Sequence, residues 1–303
     1  MTPQIFDKQR IILTGITGFT GHVLAPKLRE AGAEVFGLIH EIDKKESPDL
    51  IYAPLSDADA IQKAFEEIRP DYVIHLAGIS YAAHDNSLPY YDVNVIGTEN
   101  LLKACVAQKN NIKRVILASS AAIYGDPELD FISEDQPPNP ISHYGCSKLT
   151  MEYIAALYKD KLPITVTRPF NYTGPGQANI FLIPKIVLHF RELQPTISLG
   201  NTAVLREFSD VRDVADQYLS LLLCEQIGTV NLCSGQAHTI DDVINILTEL
   251  TAHKIEIKTN PEFVRPNDIR RLVGDNSKLK NMSNSAYQIT LKSTLKDMLH
   301  QQI

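Results

Sequence analysis

The chain has 303 residues, of which 44% are hydrophobic and 21% are charged, and this mixture is typical of a globular protein. Its formal net charge is -7 and no block of lysines and arginines is present, which argues against a nucleic-acid-binding or an anionic-membrane-binding surface. The four cysteines form neither a CxxC pair nor a cluster with histidines, which argues against a disulfide framework and against a bound metal.

Residues 10 to about 170 alternate short apolar runs with amphipathic segments, and the apolar runs are candidate strands. In chain order these runs are RIILTG, AEVFGLI, DYVIHLAG, RVILASS and PITVTRPF. Strands that alternate with helices form a parallel sheet with crossover helices, so we predict an α/β, Rossmann-like doubly wound sheet. Apolar residues at helical spacing predict helices in VNVIGTENLLKACVAQ and from Tyr144 to about Tyr158.

The first predicted strand runs into TGITGFTGHVLAPKL, with glycines at positions 15, 18 and 21. In a dinucleotide-binding turn, Gly15 would permit the tight turn, Gly18 would let the backbone approach a pyrophosphate, and Gly21 would let the helix pack on the strand. The spacing is GxxGxxG, which differs from the commoner GxGxxG. The turn therefore predicts a dinucleotide cofactor at the start of the first helix.

The tip of the second strand indicates which dinucleotide is bound, because a carboxylate there accepts from the ribose of NAD and repels the extra phosphate of NADP. The segment VFGLIHEID places Ile39 and His40 at that tip, without a carboxylate. His40 or Lys44 would suit a 2′-phosphate, although a solvated loop histidine is an equal alternative. We expect NADPH as the cofactor, with NADH accepted.

Three polar side chains are predicted to meet at the carboxyl edge of the sheet. The segment ILASSAAIYG ends a predicted strand there and supplies the hydroxyl of Ser120. Tyr144 and Lys148 lie four residues apart, so they share one face of the predicted helix. A free phenol has a pKa of about 10, and a fixed ammonium beside it favours the phenolate. We therefore expect Lys148 to lower the pKa of Tyr144.

After Phe170 the pattern changes to loops rich in glycine and proline, such as NYTGPGQAN, and then to a predicted helix around FLIPKIVLHFREL. The segment GTVNLCSG predicts one more buried strand, and Thr239 is a candidate N-cap for a helix in TIDDVINILTEL. We expect a smaller, interleaved α/β second lobe. Residues 1–170 and about 208–240 would form the dinucleotide-binding domain, and residues 171–207 and 241–303 the second lobe.

The motifs TGITGFTG, LAG, VNVIGTENLL, SSAAIYG, YGCSK and RPFNYTGPGQ, in this order, resemble the extended short-chain dehydrogenase/reductase family over nearly the whole chain. The resemblance implies that Tyr144 is the general acid/base, that Lys148 binds the nicotinamide ribose, and that Ser120 hydrogen-bonds the reacting oxygen. Asn94 would support the active-site helix or a proton relay, or have a structural role at a helix N-terminus. The implied cofactor-binding residues are Gly15, Gly18, Phe19, Thr20, Gly21, His40, Leu55, Leu76, Ala77, Gly78, Tyr144 and Lys148.

The residues after Ser120 distinguish between the reactions of this family. Its 4,6-dehydratases carry an acidic residue there, whereas this chain has Ala121 and Ala122, which argues against dehydration. Its 3,5-epimerase-reductases place a cysteine directly after the serine, and alanine cannot replace it. His84, in YAAHDNS, is more typical of a polar loop than of a substitute base. Reduction of a ketone, or 4-epimerisation with a retained cofactor, remains.

Segments of the second lobe are similar to those of GDP-6-deoxy-D-mannose reductases, namely RPFNYTGPGQ, REFSDVRDV, NLCSG and RPNDIRRLVGDNSKL. The resemblance implies that the chain reduces the 4-keto group of GDP-4-dehydro-6-deoxy-D-mannose to give GDP-D-rhamnose. Arginine forks match phosphate geometry, so a local cluster would let an acidic chain hold a doubly charged ligand. The implied substrate-binding residues are Ser80, Asn171, Lys185, Arg206, Arg265 and Asp268.

Three other functions use the same residue pattern. A reductase of opposite facial selectivity would give GDP-6-deoxy-D-talose, a nucleotide-sugar 4-epimerase would retain NAD, and a redox-sensing binder would need neither Tyr144 nor Lys148. Helices at about 90–108 and 144–158 would pair with their copies in a homodimer, as in relatives. No apolar run reaches the roughly 18 residues of a membrane span, and the first ten residues lack an apolar signal segment, so we expect a cytoplasmic protein.

Overall fold

The computed structural model describes residues 4–41, 47–79, 87–260, 269–283 and 286–301. The strands, in chain order, are β1 (Arg10–Thr14), β2 (Glu34–Ile39), β3 (Leu50–Tyr52), β4 (Tyr72–His75), β5 (Arg114–Ala118), β6 (Ile164–Pro169), β7 (Tyr172–Thr173), β8 (Thr196–Leu199), β9 (Leu205–Arg206), β10 (Ser209–Asp210), β11 (Gly228–Leu232), β12 (Glu256–Thr259) and β13 (Arg271–Leu272).

The α-helices are α1 (Phe19–Glu30), α2 (Ala58–Ile68), α3 (Leu88–Tyr91), α4 (Gly97–Ala107), α5 (His143–Ala156), α6 (Leu182–Arg191), α7 (Val211–Leu223), α8 (Ile240–Thr251), α9 (Ser277–Met282) and α10 (Leu291–His300). A π-helical turn (Asp92–Ile96) precedes α4, and a 3-10 turn (Ala121–Tyr124) follows β5. Among the described residues, no helix has both the length and the apolar character needed to cross a bilayer.

Seven strands form one parallel sheet in the order β11-β6-β5-β4-β1-β2-β3. The six apolar runs predicted as strands all lie in this sheet, which confirms the doubly wound, Rossmann-like α/β fold. Strands covered on both faces contain consecutive apolar residues, such as Ile11, Ile12 and Leu13 of β1, which are fully buried. The short strand β3 was not predicted, because its three residues are partly exposed at the sheet edge.

Two apolar layers cover the sheet. One contains residues of α1 and α7, including Leu24, Leu28 and Tyr218, and the other contains residues of α2, α4 and α5. Helix α7 was not predicted from its sequence, because its buried face also carries Asp213 and Gln217, which interrupt the apolar pattern. Packing in these two apolar layers holds the helices against the sheet, including those that begin at its carboxyl edge.

A third apolar cluster joins α6, α8 and α10 with β8. Thr239 caps α8 as predicted: its hydroxyl accepts the Asp242 N–H at 3.0 Å, and the Asp242 carboxylate accepts the Thr239 N–H at 2.7 Å. Leu279 and Met282 of α9 do not belong to this third cluster. They pack in the apolar layer that covers the sheet with α1 and α7. The division of the chain into two lobes stays a prediction.

Three pairs of short parallel strands form separate two-stranded sheets: β7 with β10, β8 with β12, and β9 with β13. Glu207, which follows β9, is fully buried beneath them. Its carboxylate accepts the N–H groups of Ser234 and Gly274, each at 2.6 Å, and that of Gly235 at 3.3 Å. Burial raises the pKa of Glu207 to about 7, although these donors favour its charged form. Glu207 thereby joins β9 to the ends of β11 and β13.

Candidate active site

The glycine turn lies between β1 and α1, at the carboxyl edge of the sheet. Gly15 has a φ of +71°, and a Cβ on it would lie 2.8 Å from the Ala77 nitrogen. A Cβ on Gly21 would lie 2.2 Å from the Gly15 carbonyl oxygen, so only glycine permits this approach. Gly18 is the N-cap of α1, and the first turn of that helix has no acidic residue. The N–H groups of this turn suit an anion such as a pyrophosphate.

The other predicted cofactor residues follow the ends of β2, β3 and β4. His40 directly follows β2 and is 76% exposed, with its Nε2 3.7 Å from a carboxylate oxygen of Glu41. A carboxylate therefore does lie beside this strand tip, one residue beyond the position that the sequence analysis considered. The Leu55 carbonyl accepts from Asn100 Nδ2 at 2.9 Å. Lys44 lies outside the described residues.

The segment from Leu76 to Gly78 connects the glycine turn to the predicted catalytic residues. The Ala77 N–H donates to Thr14 Oγ1 at 3.1 Å, at the end of β1. A Cβ on Gly78 would lie 3.1 Å from Lys148 Nζ and 2.9 Å from Asn94 Oδ1. A side chain at position 78 would therefore crowd the ammonium. The structure thus brings the glycine turn, the end of β4 and Lys148 to one edge of the sheet.

Ser120, Tyr144 and Lys148 converge at this edge. Ser120 follows β5, and its Oγ accepts the Ala122 N–H at 3.1 Å. Tyr144 lies in the first turn of α5, where the Ser142 hydroxyl caps the helix by accepting the Gly145 N–H at 3.1 Å. The Ser120 hydroxyl lies close enough to the Tyr144 phenol to lower its pKa, which places the two side chains beside each other. One helical turn later, Lys148 Nζ donates to the Ala118 carbonyl at 2.7 Å.

The pKa of Tyr144 is displaced in the direction opposite to our expectation. Desolvation by the surrounding protein raises it to about 12 and outweighs the hydrogen bond from Ser120. Burial also lowers the pKa of Lys148 to about 8, despite the opposing field of Glu152. The expected lowering of the Tyr144 pKa by Lys148 is wrong in this structure, because desolvation dominates and the Lys148 ammonium donates to the Ala118 carbonyl. Tyr144 is therefore a neutral phenol near neutral pH.

Asn94 connects the end of β4 to the active-site helix. It is fully buried in the π-helical turn, a deviation from α-helix that is frequent at functional sites. Its Oδ1 accepts the Ile79 N–H at 3.0 Å, and its Nδ2 donates to Ser147 Oγ at 3.0 Å. The Ser147 hydroxyl donates in turn to the Tyr144 carbonyl at 2.8 Å. These contacts agree with the predicted support of the active-site helix by Asn94.

His75 was not identified from the sequence, where it is a single polar residue in the apolar run DYVIHLAG. It is buried, with Nδ1 2.7 Å from Thr14 Oγ1 and Nε2 3.0 Å from Thr98 Oγ1. The Thr98 hydroxyl donates to the Asn94 carbonyl at 2.7 Å, so it must accept from a protonated Nε2. Nδ1 then accepts from Thr14. Burial and the nearby Lys148 lower the His75 pKa to about 3, which keeps the ring neutral.

A second buried polar group holds α5 one turn beyond Lys148. Arg168 of β6 forms a two-pronged ion pair with Glu152 of α5, at 2.7 and 3.0 Å. The same guanidinium donates to Tyr124 Oη at 2.9 Å, and Tyr124 donates to Asn231 Oδ1 at 2.7 Å. The sequence alone did not indicate this role, because the partners lie far apart along the chain. A buried charge requires such partners, so the pair fixes α5 against β6.

The predicted substrate-binding residues lie on several elements. Asn171 is exposed before β7, and its carbonyl accepts the Ser209 N–H at 3.2 Å. Lys185 Nζ in α6 donates to the Ser198 carbonyl at 3.4 Å. The Arg206 guanidinium donates to the carbonyls of Leu205, at 2.8 Å, and Ile269, so a phosphate would compete with these carbonyls. The remaining predictions at Ser80, His84, Arg265 and Asp268 lie outside the described residues.

Among the described residues, no group of three or more His, Cys, Asp and Glu side chains is arranged to hold a metal ion. The glycine turn, in contrast, fits a dinucleotide, since the close backbone approaches at Gly15 and Gly21 leave no room for a side chain at either position. Gly78 likewise leaves space beside Lys148 Nζ. The arrangement suits a reaction at a carbonyl oxygen held between Ser120 and Tyr144.

The model of the GDP-mannose 4,6 dehydratase family matches residues 12–298. The chain is 37% identical over 294 residues to the GDP-6-deoxy-D-talose 4-dehydrogenase of Aggregatibacter actinomycetemcomitans, an alignment that covers 95% of this chain and 96% of the relative. It is 30% identical over 306 residues to the GDP-6-deoxy-D-mannose reductase of Pseudomonas aeruginosa, with 96% of each chain covered.

The fold is also similar to solved structures. The structure of RMD from Pseudomonas aeruginosa, complexed with NADPH, aligns with a TM-score of 0.83 and 29% identity over 96% of both chains. The UDP-glucose 4-epimerase of Thermus thermophilus, in complex with NAD, aligns with a TM-score of 0.84 and 26% identity, over 96% of this chain and 98% of that one.

The neutral, buried His75 predicts a specific dependence of stability on pH. The unfolded chain takes up a proton on this side chain near its ordinary pKa of about 6.5, whereas the folded chain resists it down to about pH 3. Stability is therefore lost as the pH falls through this window, and this one group contributes about 2 kcal/mol of loss between pH 7 and pH 5.

Urea unfolding of the wild type and of His75→Gln at pH 7 and pH 5 measures this contribution. The variant should show a smaller loss of unfolding free energy on acidification. His300→Gln, at the exposed end of α10, is the matched control and should behave as the wild type does. Equal losses in the wild type and His75→Gln would contradict the neutral assignment.

Proposed function

We propose that this chain, which belongs to the GDP-mannose 4,6-dehydratase family of NAD(P)-dependent nucleotide-sugar enzymes, reduces the C4 keto group of GDP-4-dehydro-6-deoxy-D-mannose. The observation that carries the proposal is the placement of Ser120 beside Tyr144, with Lys148 one helical turn away on α5 and bonded to the Ala118 carbonyl at the end of β5. The neighbouring Ala121 and Ala122 bring no acid or base for the elimination that defines a dehydratase. Carbonyl reduction needs only one proton donor, and Tyr144 provides it.

In the proposed mechanism, Ser120 and Tyr144 hold the C4 carbonyl oxygen between their hydroxyls. NAD(P)H, when bound, supplies the hydride. As negative charge develops on the oxygen, Tyr144 donates its proton and Ser120 stabilises the alkoxide by hydrogen bonding. The raised pKa of Tyr144 keeps the phenol in the protonated form that reduction requires. Lys148, beside Gly78, would hold the nicotinamide ribose and offer a positive charge next to the reacting phenol.

The cofactor preference rests on the end of β2. His40 is exposed there and suits a 2′-phosphate, whereas Glu41 beside it suits a free ribose hydroxyl. Relatives of known structure hold either NADPH or NAD. We propose that the chain uses NADPH and accepts NADH.

The configuration of the product at C4 depends on which face of the sugar meets the hydride, and Ser120 and Tyr144 serve both faces. The motifs of the second lobe predicted GDP-D-rhamnose. The higher identity to the talose dehydrogenase, 37% against 30% for the mannose reductase, supports GDP-6-deoxy-D-talose as the first candidate product. GDP-D-rhamnose is the second candidate, supported by the reductase relative and its structure.

A nucleotide-sugar 4-epimerase is the competing function, favoured by the structural similarity to an epimerase that holds NAD. An epimerase purifies with its cofactor retained and needs no added reductant. A reductase consumes one reduced cofactor for each product formed. The stoichiometry of cofactor oxidation therefore separates the two functions.

The proposed activity is tested by adding GDP-4-dehydro-6-deoxy-D-mannose, made with a dehydratase, to the purified protein with NADPH or NADH. We expect stoichiometric loss of reduced-cofactor absorbance, faster with NADPH. NMR of the product at C4 then distinguishes talose from rhamnose. A protein that carries bound NAD and oxidises neither cofactor would contradict the reductase and favour the epimerase.

Replacement of the proposed acid is predicted to abolish most of the activity. Tyr144→Phe keeps the ring but removes the proton, and should lower turnover by roughly two to four orders of magnitude. Tyr153→Phe, on the same helix but 63% exposed, is the matched control and should retain turnover. Near wild-type turnover in Tyr144→Phe, with cofactor affinity intact, would refute the assignment.

The outer face of α4 and α5 supports the proposed homodimer. Ile96, Tyr153 and Leu157 are 49%, 63% and 72% exposed, and these positions lie in or beside the two helices predicted to pair with their copies. Exposed apolar side chains on two neighbouring helices favour association.

The dimer is tested by light scattering at micromolar concentration. We expect a dimer for the wild type and a shift towards monomer for Leu157→Glu, which introduces a charge into the proposed interface. Leu193→Glu, at a similarly exposed leucine after α6, should not change the mass. A monomeric wild type would remove the proposal.

A further inference from the structure

Tyr172 makes an unusual connection between two predicted binding regions. It begins β7, directly after Asn171, in the segment assigned to the nucleotide sugar. Its ring stacks on that of Phe19, with centroids 5.9 Å apart and planes inclined by 9°. Its hydroxyl oxygen lies 2.8 Å from Thr20 Oγ1. Phe19 and Thr20 form the start of α1, where the glycine turn ends.

The backbone of Tyr172 is itself held by elements of the second half of the chain. Residues 172 and 173 pair with Ser209 and Asp210 of β10. The Asp210 carboxylate accepts the Arg212 N–H at 2.8 Å and the Thr294 hydroxyl of α10 at 2.7 Å. A displacement of β7 therefore involves α7 and α10 as well.

We propose that Tyr172 is a positioning residue that couples binding of the dinucleotide to binding of the nucleotide sugar. The inference rests on the proposed function and adds a residue to it. The ring and the hydroxyl of Tyr172 contact the first turn of α1, whose N–H groups suit a pyrophosphate. The backbone of Tyr172 is bonded directly to Asn171, which is predicted to bind the nucleotide sugar. When the dinucleotide orders the start of α1, the contacts of Tyr172 also order the start of β7. The nucleotide sugar then binds with a smaller loss of conformational entropy. Such coupling is reciprocal between the two ligands.

The surroundings keep this link intact over the working pH range. Burial raises the pKa of the Tyr172 phenol, so its hydroxyl stays protonated and hydrogen-bonded. Thr20 is 8% exposed, and water has little access to its hydroxyl. A buried hydrogen bond of ordinary strength corresponds to a change of roughly three- to tenfold in an equilibrium constant.

The test measures the dissociation constant of NADPH, by its fluorescence, without GDP and with saturating GDP. The ratio of the two constants is the coupling factor. Tyr172→Phe keeps the stacked ring and removes the hydroxyl, and Thr20→Val removes the partner with little change of shape. We expect GDP to tighten NADPH binding to the wild type, and each variant to lower the coupling factor roughly three- to tenfold. The double variant should lose no more than either single variant.

Thr165→Val is the matched control. It also removes a fully buried hydroxyl, which lies 3.3 Å from Arg114 Nη1, but Thr165 lies in β6 between β5 and β11, within the seven-stranded sheet. A general loss of stability would affect it as it affects Tyr172→Phe, yet its coupling factor should equal that of the wild type.

The possible results separate this inference from the proposed function. A wild type that binds both ligands without coupling overturns the inference alone, as does an unchanged factor in Tyr172→Phe and Thr20→Val. Additive losses in the double variant overturn it too, because the two hydroxyls would then act independently. A wild type that binds neither NADPH nor GDP overturns the proposed function and this inference with it.

Discussion

Polar side chains buried within and beside the parallel sheet must be hydrogen-bonded, and this requirement organises the site. Thr14, His75, Thr98 and Asn94 satisfy one another in a chain that begins beside the glycine turn. Through Ser147 the chain reaches the backbone of Tyr144. These hydrogen bonds fix the position of α5, which carries the proposed acid, relative to the ends of β1 and β4.

The same burial sets the chemistry of the reacting groups. Desolvation raises the pKa of Tyr144 to about 12 and lowers that of Lys148 to about 8. Hydride addition to a ketone produces an alkoxide, and a neutral phenol can donate the proton that the alkoxide requires. The alanines after Ser120 leave this phenol as the proposed acid.

The sequence predicted much of this arrangement, because apolar strand runs and glycine spacing directly reflect a sheet covered on both faces. It also predicted that Ser120, Tyr144 and Lys148 would converge, since strand ends and helix starts of a parallel sheet share one edge. The direction of the Tyr144 pKa was wrong, because desolvation depends on packing that spacing does not express. His75 and Tyr172 were missed for a similar reason: their roles come from partners far away in sequence. The sequence also could not show that the Arg206 guanidinium, predicted to bind the substrate, donates to a backbone carbonyl in the fold.

The central claim is that an external nicotinamide delivers hydride to C4 while the protein supplies one proton. The most direct test uses NADPH carrying deuterium at the transferable position of its nicotinamide, with GDP-4-dehydro-6-deoxy-D-mannose as substrate. The account predicts one deuterium at C4 of every product molecule, seen as loss of the C4 proton signal by NMR. Product without deuterium at C4, or unchanged substrate beside unoxidised cofactor, would contradict it.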